Sequence, residues 1–125
     1  MLKRLCIVAA VIGVLASPAP AAEGGPSTLD DSLQRLSEIL GALHYLRGVC
    51  ASNEGAKWRN EMQALLDAEA SSGDRRSKLT AAFNRGYRGF QQTYRSCTPA
   101  ADLAIRRYLD EGAKLAREVT ARYSN

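Results

Sequence analysis

The longest regular feature of this sequence is a stripe of apolar side chains spaced three and four residues apart. Such spacing places all members on one face of an α-helix and does not match the alternation of a half-buried strand. Asp30 and Asp31 supply negative charge, which suits a helix N-terminus. We predict that this helix begins at Ser27 or Thr28, because either hydroxyl can cap free backbone amides. The stripe consists of Leu29, Leu33, Leu36, Leu40, Leu43, Leu46 and Cys50.

Three further stretches show the same helical period, and no alternating run suggests a strand. The second predicted helix runs from about Ala56 to Ala70, and the third from Arg75 to about Ser96. The fourth begins at Thr98-Pro99, where a capping hydroxyl precedes a proline at the first helical position. We therefore predict an all-α fold over residues 28–125, a compact antiparallel bundle of about four helices with short connections.

Two glycines, Gly86 and Gly89, interrupt the third predicted helix. Each lowers helix stability by about 1 kcal/mol relative to alanine, so their presence needs a reason. Close packing of a neighbouring helix is the explanation we favour. A kink or the approach of a ligand is the alternative.

The N-terminus has the features of a secretory signal peptide. Two basic residues precede an uncharged apolar run over Leu5–Ala16, and Ala19-Pro20-Ala21 offers the small side chains that signal peptidase reads. The run is shorter than the roughly 20 residues that span a bilayer. We predict a signal peptide over residues 1–21, a flexible lead-in over 22–27, and no stable membrane insertion after cleavage. A retained membrane anchor is the alternative.

Cleavage would remove Cys6 and leave two cysteines, Cys50 and Cys97. Two cysteines in a small exported chain normally pair, because the compartment is oxidising. In an up-down-up-down bundle both lie at the same end, as the Cα separation limit of about 7 Å requires. We predict the disulfide Cys50–Cys97, which the chain-entropy model values at about 4 kcal/mol. Two free thiols are the alternative.

No residue pattern in the sequence indicates catalysis, a metal site or a cofactor. His44 is the only histidine, whereas a nucleophile needs a positioned base and a metal site needs several ligands. Beside Tyr45, at the edge of the apolar stripe, we expect His44 to be a packed, hydrogen-bonded residue. Carboxylate pairs such as Asp110 with Glu111 are typical of solvated helix faces. We predict that the chain is not an enzyme and has no catalytic residue, metal site or cofactor.

The basic residues concentrate in the third predicted helix. Without Lys3 and Arg4 the chain has 15 basic and 13 acidic residues, yet residues 74–96 hold six basic residues against one acid. The small overall excess, together with export, argues against nucleic acid as a partner. Guanidinium groups bind carboxylates and phosphates. We therefore predict that an arginine face, consisting of Arg85, Arg88 and Arg95 along one side of this helix, binds an anionic envelope partner, either a protein or a polymer.

Other interpretations of the arginine face remain open. Residues 22–72 contain eight acidic and four basic residues, so the first two helices could pair with these arginines internally. The protein could also be a structural or accessory subunit of an envelope complex, with an apolar patch buried by its partner. A hydrolytic or redox enzyme that depends on His44 is a third hypothesis.

Six segments carry a pattern that is familiar as a set. They are Gly41–Cys50, Trp58-Arg59, Leu65–Ala70, Ala82–Arg88, Thr93–Thr98 and Ile105–Leu109. Together they resemble a family of short exported proteins from alphaproteobacteria, catalogued as conserved proteins of unknown function. The resemblance covers roughly residues 36–123, and its most specific parts are Tyr94–Thr98 and Asn84–Tyr87. It implies a Gram-negative periplasmic location and brings no assigned activity, ligand or site residue.

Overall fold

The computed structural model describes residues 26–50 and 53–122, so the predicted signal peptide lies outside the described residues. Four helices follow one another: α1 (Pro26–Val49), α2 (Lys57–Glu69), α3 (Gly73–Thr93) and α4 (Pro99–Ala121). The described residues contain no strand, and the predicted all-α fold is confirmed. None of the helices in this part of the chain combines the length and the apolarity that a membrane crossing needs.

The helix starts differ in how well the sequence predicted them. Helix α1 begins at Pro26 and not at Ser27 or Thr28, so the last two residues of the predicted lead-in are helical and no acidic residue lies in the first turn. Proline suits the first helical position, because the amide it lacks would have no partner there. Helix α4 starts as predicted: the Thr98 hydroxyl accepts a hydrogen bond from the Ala101 amide at 3.1 Å.

Helix α3 ends three residues earlier than predicted, at Thr93 instead of Ser96. Tyr94 has an extended backbone, with φ −119° and ψ 111°, and the Tyr45 hydroxyl of α1 donates a hydrogen bond to its carbonyl oxygen. The loop over residues 94–98 therefore turns toward the end of α1. Pro99 also disfavours a helical conformation in the residue before it, so α3 cannot continue into α4.

The predicted disulfide is confirmed. Cys50 follows the last residue of α1, and Cys97 lies in the loop between α3 and α4, with Cα atoms 4.7 Å apart. The covalent bond joins α1 and α3 at one end of the bundle. This agrees with an up-down-up-down order, in which α1 and α3 are parallel and α2 and α4 run the opposite way.

Helix α1 is the central element of the fold. Helices α2, α3 and α4 each pack against it, whereas in the described residues no Cα of α4 lies within 8 Å of α2 or α3. The one buried polar side chain of the described core, Ser37, donates to the Leu33 carbonyl at 2.8 Å. Most of the α1 surface is consequently core. Its buried apolar residues are Leu33, Leu36, Ile39, Leu40, Ala42, Leu43 and Leu46.

The closest helix contact is between α1 and α3. A Cβ atom on Gly41 would overlap the backbone carbonyl of Phe83, and one on Gly86 would overlap the backbone carbonyl of Glu38. Both overlaps involve backbone, which cannot move aside as a flexible side chain can. The predicted close packing is confirmed for Gly86 and is wrong for Gly89, which has open space where its Cβ would be.

Candidate functional site

The structure keeps only part of the predicted arginine face on one helix. Arg85 and Arg88 are exposed on α3, three residues apart and therefore on neighbouring turns. Arg95 is exposed as well, but it lies in the loop after α3, because the helix ends at Thr93. The predicted arrangement of all three arginines along a single helix is thus wrong for Arg95.

Some of the basic residues of α3 form ion pairs with acidic residues of α1, as the alternative interpretation expected. Arg75 forms an ion pair of 2.7 Å with Asp30. The Arg85 guanidinium lies 3.6 Å from a Glu38 carboxylate oxygen, and its side chain remains 59 % exposed. Within the described residues, four basic residues of this segment have no ion pair: Arg76, whose guanidinium donates to the Ala70 carbonyl oxygen at 3.4 Å, and Lys78, Arg88 and Arg95.

A second candidate site, which the sequence did not reveal, is an apolar groove between α2 and α4. Its volume is about 460 Å³, within the roughly 300–1,000 Å³ typical of ligand pockets. Helix α1 forms the floor, and α2 and α4 form the two walls. We call this surface the apolar groove. Its floor consists of Leu36, Ile39, Leu40 and Leu43.

On the α2 side, Trp58 is held in place beside the apolar groove. Its indole Nε1–H donates to a Glu54 carboxylate oxygen at 2.6 Å, and the Arg47 guanidinium of α1 donates to the same carboxylate at 3.0 Å. The hydrogen bond from Arg47 holds the pKa of Glu54 below its ordinary value. Lys57 lies 5.0 Å from the centroid of the indole ring. The indole orientation is therefore fixed by α1 and by the loop before α2.

On the α4 side, the wall is set close to α1 by one glycine and one ion pair. A Cβ on Gly112 would lie 3.2 Å from Cγ2 of Ile39. Arg35 of α1 donates two hydrogen bonds to the Glu111 carboxylate, at 2.8 and 2.9 Å. These bonds raise the pKa of Arg35 and lower the pKa of Glu111. Helix α4 is anchored on α1, so the groove wall does not depend on contact with α2.

The groove residues escaped sequence reasoning because they resemble an ordinary helical core. Leu36 and Leu40 belong to the apolar stripe of α1, and the sequence does not show that the described α2 and α4 pack on this stripe without coming within 8 Å of each other. One available signal was the run of small residues on α4. Ala113 and Ala116 are exposed in the structure and line the groove.

His44 lies half-buried between α2 and α3, which confirms that it is a packed residue. Its ring centroid is 5.9 Å from that of Phe83 and 5.5 Å from that of Tyr87. The expected hydrogen bond is absent at Nδ1, which is buried with no partner among the described residues. Burial, and then the positive charge of Arg59, lower the pKa of His44. The imidazole is therefore neutral near pH 7.

One group of metal-ligating residue types occurs in the described part of the chain. It comprises Cys50, Cys97 and Asp102. The two sulfur atoms are bonded to each other, whereas a cysteine binds a metal as a thiolate. This arrangement is a disulfide beside a carboxylate and not a built metal site.

The comparisons with known proteins identify a family. Residues 28–123 match the family described as "Protein of unknown function (DUF2385)". No curated protein and no solved structure matches this chain. The match covers all of α2, α3 and α4 and nearly all of α1, and it agrees with the family of unknown function that the sequence segments suggested. This chain is a member of the DUF2385 family of proteins of unknown function.

Proposed function

We propose that this protein is a non-catalytic periplasmic binding module for an anionic partner in the cell envelope. The observation that carries the proposal is the exposure of the arginine face. Arg88 and Arg95 are exposed and have no ion pair within the described residues, and Arg85 is held only by a long contact to Glu38. These guanidinium groups are available to an external carboxylate or phosphate.

Arginine suits this role for a geometric reason. Its planar guanidinium presents several N–H donors in a fork that matches carboxylate and phosphate oxygens. Two of the three side chains project from a helix that is backed rigidly onto α1 through Gly86. The partner therefore meets donors on a fixed surface.

The periplasmic location is supported by three features. The N-terminal sequence predicts a signal peptide, and the resemblance to exported alphaproteobacterial proteins implies the same compartment. The bond between Cys50 and Cys97 suits an oxidising environment. An anionic partner in that compartment would be a protein surface, or a polymer bearing uronates, phosphates or peptide carboxylates.

Salt-dependent retention on immobilised polygalacturonate tests this function. We expect the combined variant Arg85→Gln, Arg88→Gln, Arg95→Gln to elute at lower salt than the wild type, because fewer charges contact the polymer. The matched control is Arg106→Gln, Arg107→Gln, Arg117→Gln, which removes the same charge from exposed positions of α4. This control should elute close to the wild type.

Two results would contradict the proposed arginine face. Equal loss of retention in both triple variants would show that net charge alone governs binding. A loss of several kcal/mol of unfolding free energy in the α3 variant would show that the arginines are internal partners. We expect that loss to stay within about 1 kcal/mol, since exposed ion pairs contribute little.

A second candidate function is an accessory subunit of an envelope protein complex. The apolar groove favours it, because a hydrophobic groove can accept the apolar face of a helix from a partner protein. In this case the partner remains bound at high salt, and the triple variant at Arg85, Arg88 and Arg95 retains it as well as the wild type does.

A further inference from the structure

We propose that the apolar groove is a docking site for an amphipathic helix of a partner protein. The proposal concerns a different surface from the arginine face, and either can fail without the other. It rests on the separation of α2 and α4 within the described residues, the dimensions of the groove and the charges at its two edges.

The groove is the position at which a further helix would complete the packing around α1. Three helices surround α1, and in the described residues no Cα of α2 lies within 8 Å of α4. The floor, including Leu36 and Leu40, is buried, and the apolar surface that remains exposed lies on the α4 wall, at Leu109, Ala113 and Ala116. A helix laid along this gap would bury that exposed part of the wall.

The dimensions of the groove fit a short helix. Its α4 wall extends from Tyr108 to Thr120, which at 1.5 Å per residue is about 18 Å, or roughly three turns. Two alanines on this wall, Ala113 and Ala116, are exposed and small. A small-residue wall allows close approach of another helix backbone, as Gly41 and Gly86 allow between α1 and α3.

The edges of the groove carry opposite charges. On α2, one basic and two acidic residues line the groove, Lys57, Glu61 and Glu69, so this edge is negative overall. Glu61 is exposed and has no ion pair within the described residues. On α4, Arg117 lines a shallow depression that shares Ala116 and Thr120 with the groove. The complementary ligand is a helix with an apolar face, a basic edge toward Glu61 and an acidic edge toward Arg117.

A fatty-acyl chain fits this surface less well than a helix. An acyl chain needs an apolar channel and one cation for its acidic head. Lys57 offers a cation on the α2 wall, but the same wall also places the carboxylates of Glu61 and Glu69 beside the apolar floor, which disfavours an acidic head group. Helix-in-groove recognition instead places the apolar face of an amphipathic helix in a hydrophobic groove and leaves its charged flanks at the groove edges. We therefore commit to the helix, and a lipid and a second copy of this chain become outcomes of the test.

The single tryptophan provides the readout, because Trp58 lines the groove. The probe is a synthetic helical peptide of about four turns, with leucine on one face, lysine along one edge and glutamate along the other. We expect it to shift Trp58 emission to shorter wavelength in a saturable manner. A peptide of the same composition in scrambled order should produce no shift.

Two matched variants locate the binding. Ala116→Glu places a carboxylate in the groove and should weaken peptide binding at least tenfold, because a desolvated and unpaired charge is strongly unfavourable. Ala81→Glu makes the same change at an exposed position of α3 outside the groove and should bind like the wild type. Both alanines are exposed, so neither substitution disturbs the core.

Charge reversal tests the two edges of the groove. Glu61→Lys gives both edges a positive charge, and Arg117→Glu gives both a negative charge, so each variant should bind the peptide several-fold more weakly. The double variant exchanges the charges of the two groove edges. It should recover affinity, because a peptide that docks in the opposite direction also exchanges the sides on which its basic and acidic edges lie.

Several outcomes would overturn the proposal. One is a Trp58 shift with palmitate or phosphatidylglycerol vesicles and none with the peptide. Another is a dimer in sedimentation that Ala116→Glu dissociates, which would assign the groove to a second copy. A third is the absence of any Trp58 response to the peptide. None of these results bears on retention by polygalacturonate, which depends on the arginine face.

Discussion

The two sides of α1 are built in opposite ways. On one side, α3 lies so close that Gly41 and Gly86 each face backbone of the other helix. On the other side, α2 and α4 stand apart and leave leucines of the α1 stripe at the floor of a groove of about 460 Å³. The first contact is backbone to backbone, whereas the second leaves an apolar groove between two helices of the described residues.

The difference shows that a stripe of leucines does not by itself determine how many helices cover it. Close approach requires glycine at the crossing point, and α1 and α3 each provide one there. Ion pairs fix the remaining positions: Arg35 and Glu111 hold α4 against α1, and Arg47 and Glu54 hold the start of α2. The groove width is thus set by contacts with α1.

We expect the largest change in unfolding free energy on the side of α1 that packs against α3. Gly86→Ala places a Cβ against the Glu38 carbonyl, and since backbone must move, we expect a loss of about 3 kcal/mol or more of unfolding free energy. Urea unfolding followed by circular dichroism measures it. The matched control is Gly89→Ala in the same helix, which has open space and should gain about 0.5–1 kcal/mol. Similar values for the two variants would contradict the close α1–α3 contact.

The next effect concerns the disulfide, which fastens the same two helices at one end. Replacing both cysteines, Cys50→Ser with Cys97→Ser, should lower the unfolding free energy by about 2–4 kcal/mol, because the unfolded chain is no longer constrained. The helical circular dichroism signal should persist at low temperature. Reaction of both native cysteines with maleimide in the folded protein would instead show two free thiols.

A smaller effect is expected from His44, at the boundary between α2 and α3. Burial and the charge of Arg59 lower its pKa in the folded protein, so the unfolded state binds a proton more readily. Unfolding free energy should therefore fall as the pH drops below about 6.5, and level off below the folded-state pKa. His44→Gln should reduce the fall in stability between about pH 7.5 and about pH 5.5. An unchanged fall would contradict the neutral, packed imidazole.

We expect the smallest change in unfolding free energy in the apolar groove. Ala116→Leu adds bulk to a groove wall where the alanine is exposed, so we expect a change in unfolding free energy within about 0.5 kcal/mol. The same urea titration measures it. A large loss would show that another part of the chain already fills the groove.

Sequence patterns predicted the elements of this fold better than their mutual arrangement. Helical periodicity located α1 to α4, and Thr98 marked the start of α4, because these signals are local. The end of α3 was missed because residues 94–98 follow a tertiary constraint, the disulfide and the Tyr45 contact. The sequence predicted the same close packing for Gly86 and Gly89, and only the crossing of α3 with α1 distinguishes the two glycines.

The candidate sites divide in the same way. Arg85 and Arg88 could be placed on one helix face from spacing alone, whereas Arg95 required the true end of α3. The apolar groove depends on how far apart α2 and α4 pack on α1 within the described residues. Spacing along one helix contains no information about that, so the groove emerged only from the three-dimensional packing.

A single nuclear Overhauser spectrum of the free protein tests the contrast between the two sides most directly. We expect cross-peaks between the Gly41 α-protons and protons of Phe83, because α1 and α3 meet there backbone to backbone. We expect none between the methyl groups of Ala64 and Ala113, which stand on separate walls of the groove. Cross-peaks between those two methyl groups would show that α2 and α4 close on each other, and would contradict an open groove.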